Sequence, residues 1–158
     1  MTAKKRHFLK TEVARRVVAA LSTYETKNPL KGKLEVLETS ERTLILLNGV
    51  PVALCIEKTP FFTVRGALEL HPRRHLVSVD MGAVQFIHNG ADVMSPGIVD
   101  ADKSITPGDF VVIIDERHNK PLGVGTALIT GDEMIHETKG KAVRILHHVG
   151  DKIWHVSP

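Results

Sequence analysis

Glycine and proline cut the second half of this chain into short apolar runs, and that punctuation restricts the fold more than any other feature. From Leu76 the strand-like runs are Leu76 to Val79, Phe110 to Ile114, Leu122 to Ile129, Lys141 to His148 and a last one carrying Ile153 and Trp154. Gly90, Gly97, Gly108 and Gly150 fall between them, and Thr106-Pro107-Gly108-Asp109 is a turn ahead of Phe110. Between Val79 and Gly90, Ala83 to His88 reads as a short helix with Phe86 and Ile87 facing inward. Short strands with turn signals every roughly 8–12 residues build a small barrel or sandwich.

The first half follows another pattern. Thr11 is placed to cap a helix, with Glu12 in the first turn where the helix dipole favours an acid. Val13, Val17, Ala20, Leu21 and Tyr24 recur at helical spacing, so an amphipathic helix is expected to end before Asn28-Pro29. Residues 1–10 read as a basic tail, frayed until Phe8-Leu9 docks. Lys33 to Glu38 alternates as a strand. Leu44 to Leu47 and Val50 to Ile56 flank Asn48-Gly49, which suits the positive φ angles of a two-residue hairpin turn. Thr59-Pro60 is expected to break the strand there, and Val64 to His71 to form a short helix closed by Pro72. The stretch Pro72-Arg73-Arg74-His75 is a module boundary. The fold class is therefore α+β: a helix-and-sheet domain over residues 1–74, then a barrel over residues 75–158.

Charge separates the same two parts. Residues 1–75 hold 14 Lys/Arg against 7 Asp/Glu, a net +7, whereas residues 76–158 hold 7 against 11, a net −4. A polyanionic partner is suggested for the first part, and bulk attraction of nucleic acid by the second is excluded. No apolar run approaches the roughly 20 residues of a membrane-spanning helix. The basic N-terminus lacks the apolar stretch of a secretory signal. The single cysteine, Cys55, excludes an internal disulfide framework and fits a reducing compartment, so a cytoplasmic location is expected.

Enzymatic and metal chemistry find little support. Cys55 lies inside the apolar run Val52 to Ile56 and reads as an inert packed thiol. His71 and His75 have a ligand-like spacing, but Pro72 disrupts a shared helical face and further ligands are lacking. Asp100 and Asp102 lack the remaining pattern of a cation loop. Gly123-Val124-Gly125 precedes no helix and is no dinucleotide fingerprint. His147 and His148 occupy opposite faces of a strand, so one can reach a ligand while the other packs. No catalytic residue, metal or cofactor is expected.

The stretch from Val79 through Asp80-Met81-Gly82-Ala83, Phe86-Ile87-His88-Asn89-Gly90-Ala91-Asp92 and Ser95-Pro96-Gly97 to Ile98 closely resembles the PUA domain, an RNA-binding module. The likeness continues through Thr106-Pro107-Gly108-Asp109, Leu122-Gly123-Val124-Gly125, Lys139-Gly140-Lys141-Ala142-Val143 and Gly150-Asp151-Lys152-Ile153-Trp154. In the first half Leu9-Lys10-Thr11, Leu47-Asn48-Gly49, Thr59 to Arg65 and His71-Pro72 resemble the domain that precedes PUA in the malignant-T-cell-amplified-sequence proteins. Trp154-His155 matches the end of that family, and the shorter chain resembles an archaeal relative.

The resemblance implies a non-enzymatic RNA-binding protein of translation, acting on the small ribosomal subunit or an initiator tRNA complex with a translation-factor partner. An RNA-recognition accessory of a tRNA or rRNA modification enzyme is the alternative. Structured RNA would lie between the Gly82–Asn89 helix and the barrel, against Gly82, Asn89, Gly90, Ala91, Asp92, Ser95, Pro96 and Gly97. Arg73, Arg74, Lys139, Lys141, Arg144 and His147 are expected on or near that face. Aromatic residues at 4% argue against a stacking platform for single strands, whereas duplex RNA is read by shape and backbone contacts.

Overall fold

The computed structural model describes residues 1–157 and divides the chain into two units, Met1–Arg73 with the C-terminal residues from His155, and Arg74–Trp154. In the first unit the strands follow chain order in one antiparallel sheet: β1 (Ala3–Phe8), β2 (Leu34–Thr39), β3 (Thr43–Leu47), β4 (Val50–Ile56) and β5 (Thr59–Phe62). Helices α1 (Thr11–Ser22) and α2 (Val64–Leu70) complete it. α1 lies in the connection between β1 and β2, whereas β2 to β5 are joined by tight turns, two of them built from positive-φ pairs: Asn48-Gly49 as expected, and Glu57-Lys58.

Four local expectations are corrected. Residues 3–8 are not a frayed tail but strand β1, paired antiparallel with β2 from Ala3↔Thr39 to Phe8↔Glu35. The Arg6 guanidinium clamps this pairing by donating to both Glu35 oxygens, at 2.7 and 3.0 Å. Thr11 is the first helical residue rather than the cap, a position taken by Lys10 with no side-chain cap bond. α1 stops at Ser22, and the Tyr24 ring meets Phe61 and Phe62 edge-on at 5.1 and 5.6 Å. Thr59-Pro60 does not end the sheet, because β5 is its edge and proline is tolerated where no inner partner needs its N–H.

Phe61 and Phe62 are fully buried with Leu44, Leu46, Leu54 and Leu21, and each such side chain stabilises the fold by about 1.5–3 kcal/mol. α2 lies so close to β4 that a Cβ at Gly66 would come within 1.8 Å of the Val52 carbonyl oxygen. Cys55 is half-buried, and burial pushes its thiol above its ordinary pKa, in keeping with an inert thiol.

The second unit is a near-closed barrel whose six strands run in the order β7 (Val93–Met94), β11 (Lys141–His148), β10 (Pro121–Ala127), β9 (Phe110–Asp115), β6 (Leu76–Val79), β8 (Ile98–Ala101). β6 and β9 pair in parallel and the other neighbours antiparallel. Val77, Val79, Ile87, Ile105, Val111, Ile113, Met134 and Val143 pack in one core. α3 (Met81–His88) follows β6, and a single 3₁₀ turn, Ser95–Gly97, precedes β8.

The expected last strand at Ile153-Trp154 is absent. Residues 151–155 turn instead, because the Asp151 carboxylate accepts the N–H groups of His148 and Trp154, both at 2.9 Å. β10 ends at Ala127 rather than Ile129. After it comes an unforeseen helix, α4 (Gly131–His136), started by a reciprocal capping box between Thr130 and Glu133. Gly123-Val124-Gly125 sits in β10 at a bulge against β11, where a Cβ on Gly125 would lie 2.4 Å from the Arg144 carbonyl oxygen.

Candidate nucleic-acid interface

Helix α3 is held at both ends by local chemistry. At its start the Asp80 Oδ1 accepts the Ala83 N–H at 2.9 Å, and the Asp80 N–H donates to the Gly97 carbonyl, also at 2.9 Å. The N-cap and the 3₁₀ turn are thereby tied together. At its end Gly90 takes φ 84°, Gly90 N–H donates to Ile87 and Ala91 N–H to Phe86, the paired bonds of a Schellman cap. A glycine is needed there because a side chain opposes the left-handed conformation.

The chain then turns back into β7 through Asp92. One Asp92 oxygen accepts the Ile145 N–H at 2.9 Å and the other lies 3.2 Å from Lys141 Nζ. The Ile145 N–H, followed by Lys141 and Arg144, holds this carboxyl below its ordinary pKa against the opposing effect of burial. Asp92 thus stays ionised, pins the loop to β11 and orients the Lys141 ammonium.

These constraints leave an open groove of about 630 Å³ between α3, β7 and the Ser95–Gly97 turn. Asp80, Gly82, Ala83, Phe86 and Ile87 line one side, Ala91 to Met94 the other, and Pro96, Gly97 and Lys141 complete it. The lining is mainly apolar, and Phe86 and Met94 stand 67% and 44% exposed. Gly97 has no positive φ, so its role is space: a Cβ there would come 3.2 Å from the Ala83 Cβ. The arrangement offers a concave surface with glycine backbone, two large apolar side chains and one cation.

Of the residues expected to touch RNA, Gly82, Ala91, Asp92, Pro96, Gly97 and Lys141 line the groove. Asn89 and Gly90 are exposed just beyond its lining, at the end of α3. Lys139 and Arg144 are also exposed outside it. Ser95 is 2% exposed and faces the interior, with Oγ lacking a hydrogen-bond partner among the described residues. Arg74 is engaged elsewhere, 3.6 Å from Asp102, and Arg73 belongs to the first unit.

His147 is corrected outright. It is 1% exposed, its Nδ1 donates to Asp151 at 2.9 Å, and its ring is core rather than surface. The exposed member of the Phe86-Ile87 pair was also missed. Successive helical residues lie about 100° apart, so with Ile87 buried Phe86 turns outward. Asp80, Ala83, Phe86, Ile87, Val93 and Met94 line the groove beyond the expected set, and of these only Asp80, three residues before Ala83, carries a local signal.

Among the described residues no group of three His, Cys, Asp or Glu side chains could hold a metal, and no helix is long and apolar enough to cross a membrane. Residues 75–149 match the PUA domain family. An uncharacterized protein of Methanocaldococcus jannaschii is 41% identical over 158 residues, spanning 98% of each chain. The structure of a conserved PUA domain protein from Thermoplasma acidophilum superposes with a TM-score of 0.85 at 29% identity, covering 98% of this chain and 100% of that one. Translation machinery-associated protein 20 of Saccharomyces cerevisiae is 33% identical over 87 residues, 51% of this chain and 48% of the yeast protein. The chain belongs to the family of PUA-domain proteins that these archaeal chains share with translation machinery-associated protein 20 and the malignant T-cell-amplified sequence proteins.

Proposed function

We propose that the chain is a non-enzymatic RNA-binding protein of the translation machinery, which holds structured RNA in the groove beside α3. The observation that carries this reading is the groove itself. It lies inside the PUA-matching segment, it is bounded by Gly82 and Gly97 where backbone can approach a ligand closely, and Lys141 stands on its wall. A-form RNA is read through shape, phosphate and 2′-hydroxyl contacts, for which close backbone approach matters more than a field of cations. The acidic balance of residues 76–158 is then compatible with binding, because Lys141, Lys139 and Arg144 are all exposed on or beside β11. The translational setting rests on the names of the relatives, and the small ribosomal subunit or an initiator tRNA complex is the proposed place of action.

Sedimentation of cell extract in a sucrose gradient tests the setting: the protein is expected with the small subunit. Sedimentation with free tRNA or a modification enzyme instead would transfer it to RNA modification. Filter binding of a tRNA transcript tests the interaction itself. If about four phosphates are neutralised, log K falls against log salt with a slope of roughly −3. Binding that is indifferent to salt would reject it.

A further inference from the structure

Strand β1 forms one margin of the first unit's sheet, and all six of its residues are exposed. An edge of this length is a template for another strand unless something blocks it. The Leu9 N–H donates to the Leu34 carbonyl, so Leu9 faces β2 with its backbone. Antiparallel alternation then turns the backbone of Phe8 and Arg6 outward, and that of His7 and Lys5 inward. A bulge between Ala3 and Lys5 interrupts the register, so the free edge presents donors and acceptors at a two-residue repeat from Lys5 to Phe8, at Arg6 and Phe8.

Its side chains select what can pair there. β1 reads Ala3-Lys4-Lys5-Arg6-His7-Phe8, followed by Lys10, and contains no acid. A second copy of the same strand would set lysine against lysine or arginine, so self-pairing is disfavoured. At the Phe8 end a groove of about 350 Å³ opens, walled by Phe8, Leu9, Ala14, Leu34 and Lys33. Phe8 is 60% exposed, and the Lys33 ammonium lies 5.6 Å from its ring centre. Cations along the edge, an apolar pocket at its end and a free hydrogen-bonding row are together complementary to one kind of ligand.

We propose that the β1 edge binds an acidic, extended segment of a partner protein as a sixth strand, with an apolar side chain of that segment seated against Phe8, Leu9 and Leu34. An RNA strand would satisfy the cations but not the alternating backbone donors and acceptors, which match a peptide. The occupant is therefore a protein segment rather than nucleic acid, and the surface is separate from the groove beside α3.

The probe is an acetylated, amidated octapeptide alternating glutamate with valine and ending in leucine, added to the whole ¹⁵N-labelled chain. Amide shifts confined to β1 and its pocket are expected, with slowed hydrogen exchange at Arg6 and Phe8 and no change along α3. Arg6→Pro removes the outward N–H, and an edge strand tolerates proline there. Arg6→Ala controls for the lost guanidinium. The proline variant is expected to bind roughly tenfold more weakly than the alanine variant, the loss of one or two hydrogen bonds. Phe8→Ser, which leaves the backbone row intact, is expected to weaken binding by a similar factor and provides an independent test should the proline variant unfold. Equal binding by Arg6→Pro and Arg6→Ala, or by Phe8→Ser and the parent, would overturn strand addition. So would a uridine dodecamer that protects the same amides and displaces the peptide, since the edge would then be a nucleic-acid surface.

Discussion

Asp151 is the residue whose removal tests most directly what holds the turn after β11. Its carboxylate accepts three N–H groups at 2.9 Å: the Nδ1–H of His147 and the backbone N–H of His148 and Trp154. Burial raises its pKa, but His147 first, then Trp154 and His148, outweigh that and hold it below the ordinary value. A hydrogen bond to a charged group contributes about 1.5–3 kcal/mol, which for three independent donors would total roughly 5–9 kcal/mol. The sum overstates the loss, because the backbone donors lie in a part-buried turn that water can reach in part. Water cannot reach the His147 ring, which is 1% exposed. Asp151→Ala is therefore expected to destabilise the second unit by about 2–4 kcal/mol, and Asp151→Asn, which keeps one acceptor oxygen, by about 1–2 kcal/mol. Trp154 is the only tryptophan and lies in that unit, so its fluorescence during urea unfolding of the whole chain reports the right transition. With a urea dependence near 1 kcal/mol per molar, the alanine variant should lower the midpoint by about 2 M or more. A shift below about 0.5 M, or equal shifts for both variants, would refute the claim that this carboxylate holds the end of β11 and the turn that follows it.

Three further outcomes are expected. Gly97→Arg should retain the fold but weaken tRNA binding beyond Gly97→Ala despite its added charge, since its side chain enters the groove; tight binding by a folded Gly97→Arg would remove the turn from the site. Asp102 is raised by burial but lowered more by the N–H groups of His75 and Ser104, the Ser104 hydroxyl and Arg74, to about 2. Because this folded-state value is depressed, its stabilisation is complete above about pH 4 and is lost as pH falls towards 2. Acid unfolding of Asp102→Asn should lack that part of the pH dependence, and an unchanged acid limb would contradict it. Residues 75–158 alone should melt cooperatively by circular dichroism, although about 84 residues make a small core; a broad, non-cooperative melt would mean that the core is incomplete without the first 74.

Much of the architecture was readable because its signals are local. Asn48-Gly49 demands positive φ angles, and the hairpin is where that dipeptide lies. Gly90 after Asn89 marks the end of α3 for the same reason, and Asp80 three residues before Ala83 marks its start. The order of glycine turns from Leu76 to Trp154 was enough to indicate a barrel and a resemblance. Thr130 and Glu133 carry an equally local signal, the capping box that starts α4.

Pairing and burial were not local in this way. Ala3 to Phe8 is too charged to read as a strand, and becomes one because β2 supplies an open edge and Glu35 a partner for Arg6. Proline is acceptable at position 60 only because β5 lies at the sheet margin. The rings of His147 and His148 are indistinguishable until Asp151 accepts the ring N–H of His147 alone. The groove shares this dependence: Gly82 and Phe86 share a face of α3, but Met94, Gly97 and Lys141 come to it from β7, the 3₁₀ turn and β11, and no spacing rule encodes that meeting. Periodicity and turn chemistry act over a few residues and settle which elements form. Which side chains face one another depends on sheet order and on long-range hydrogen bonds, and those exist only once the chain has closed.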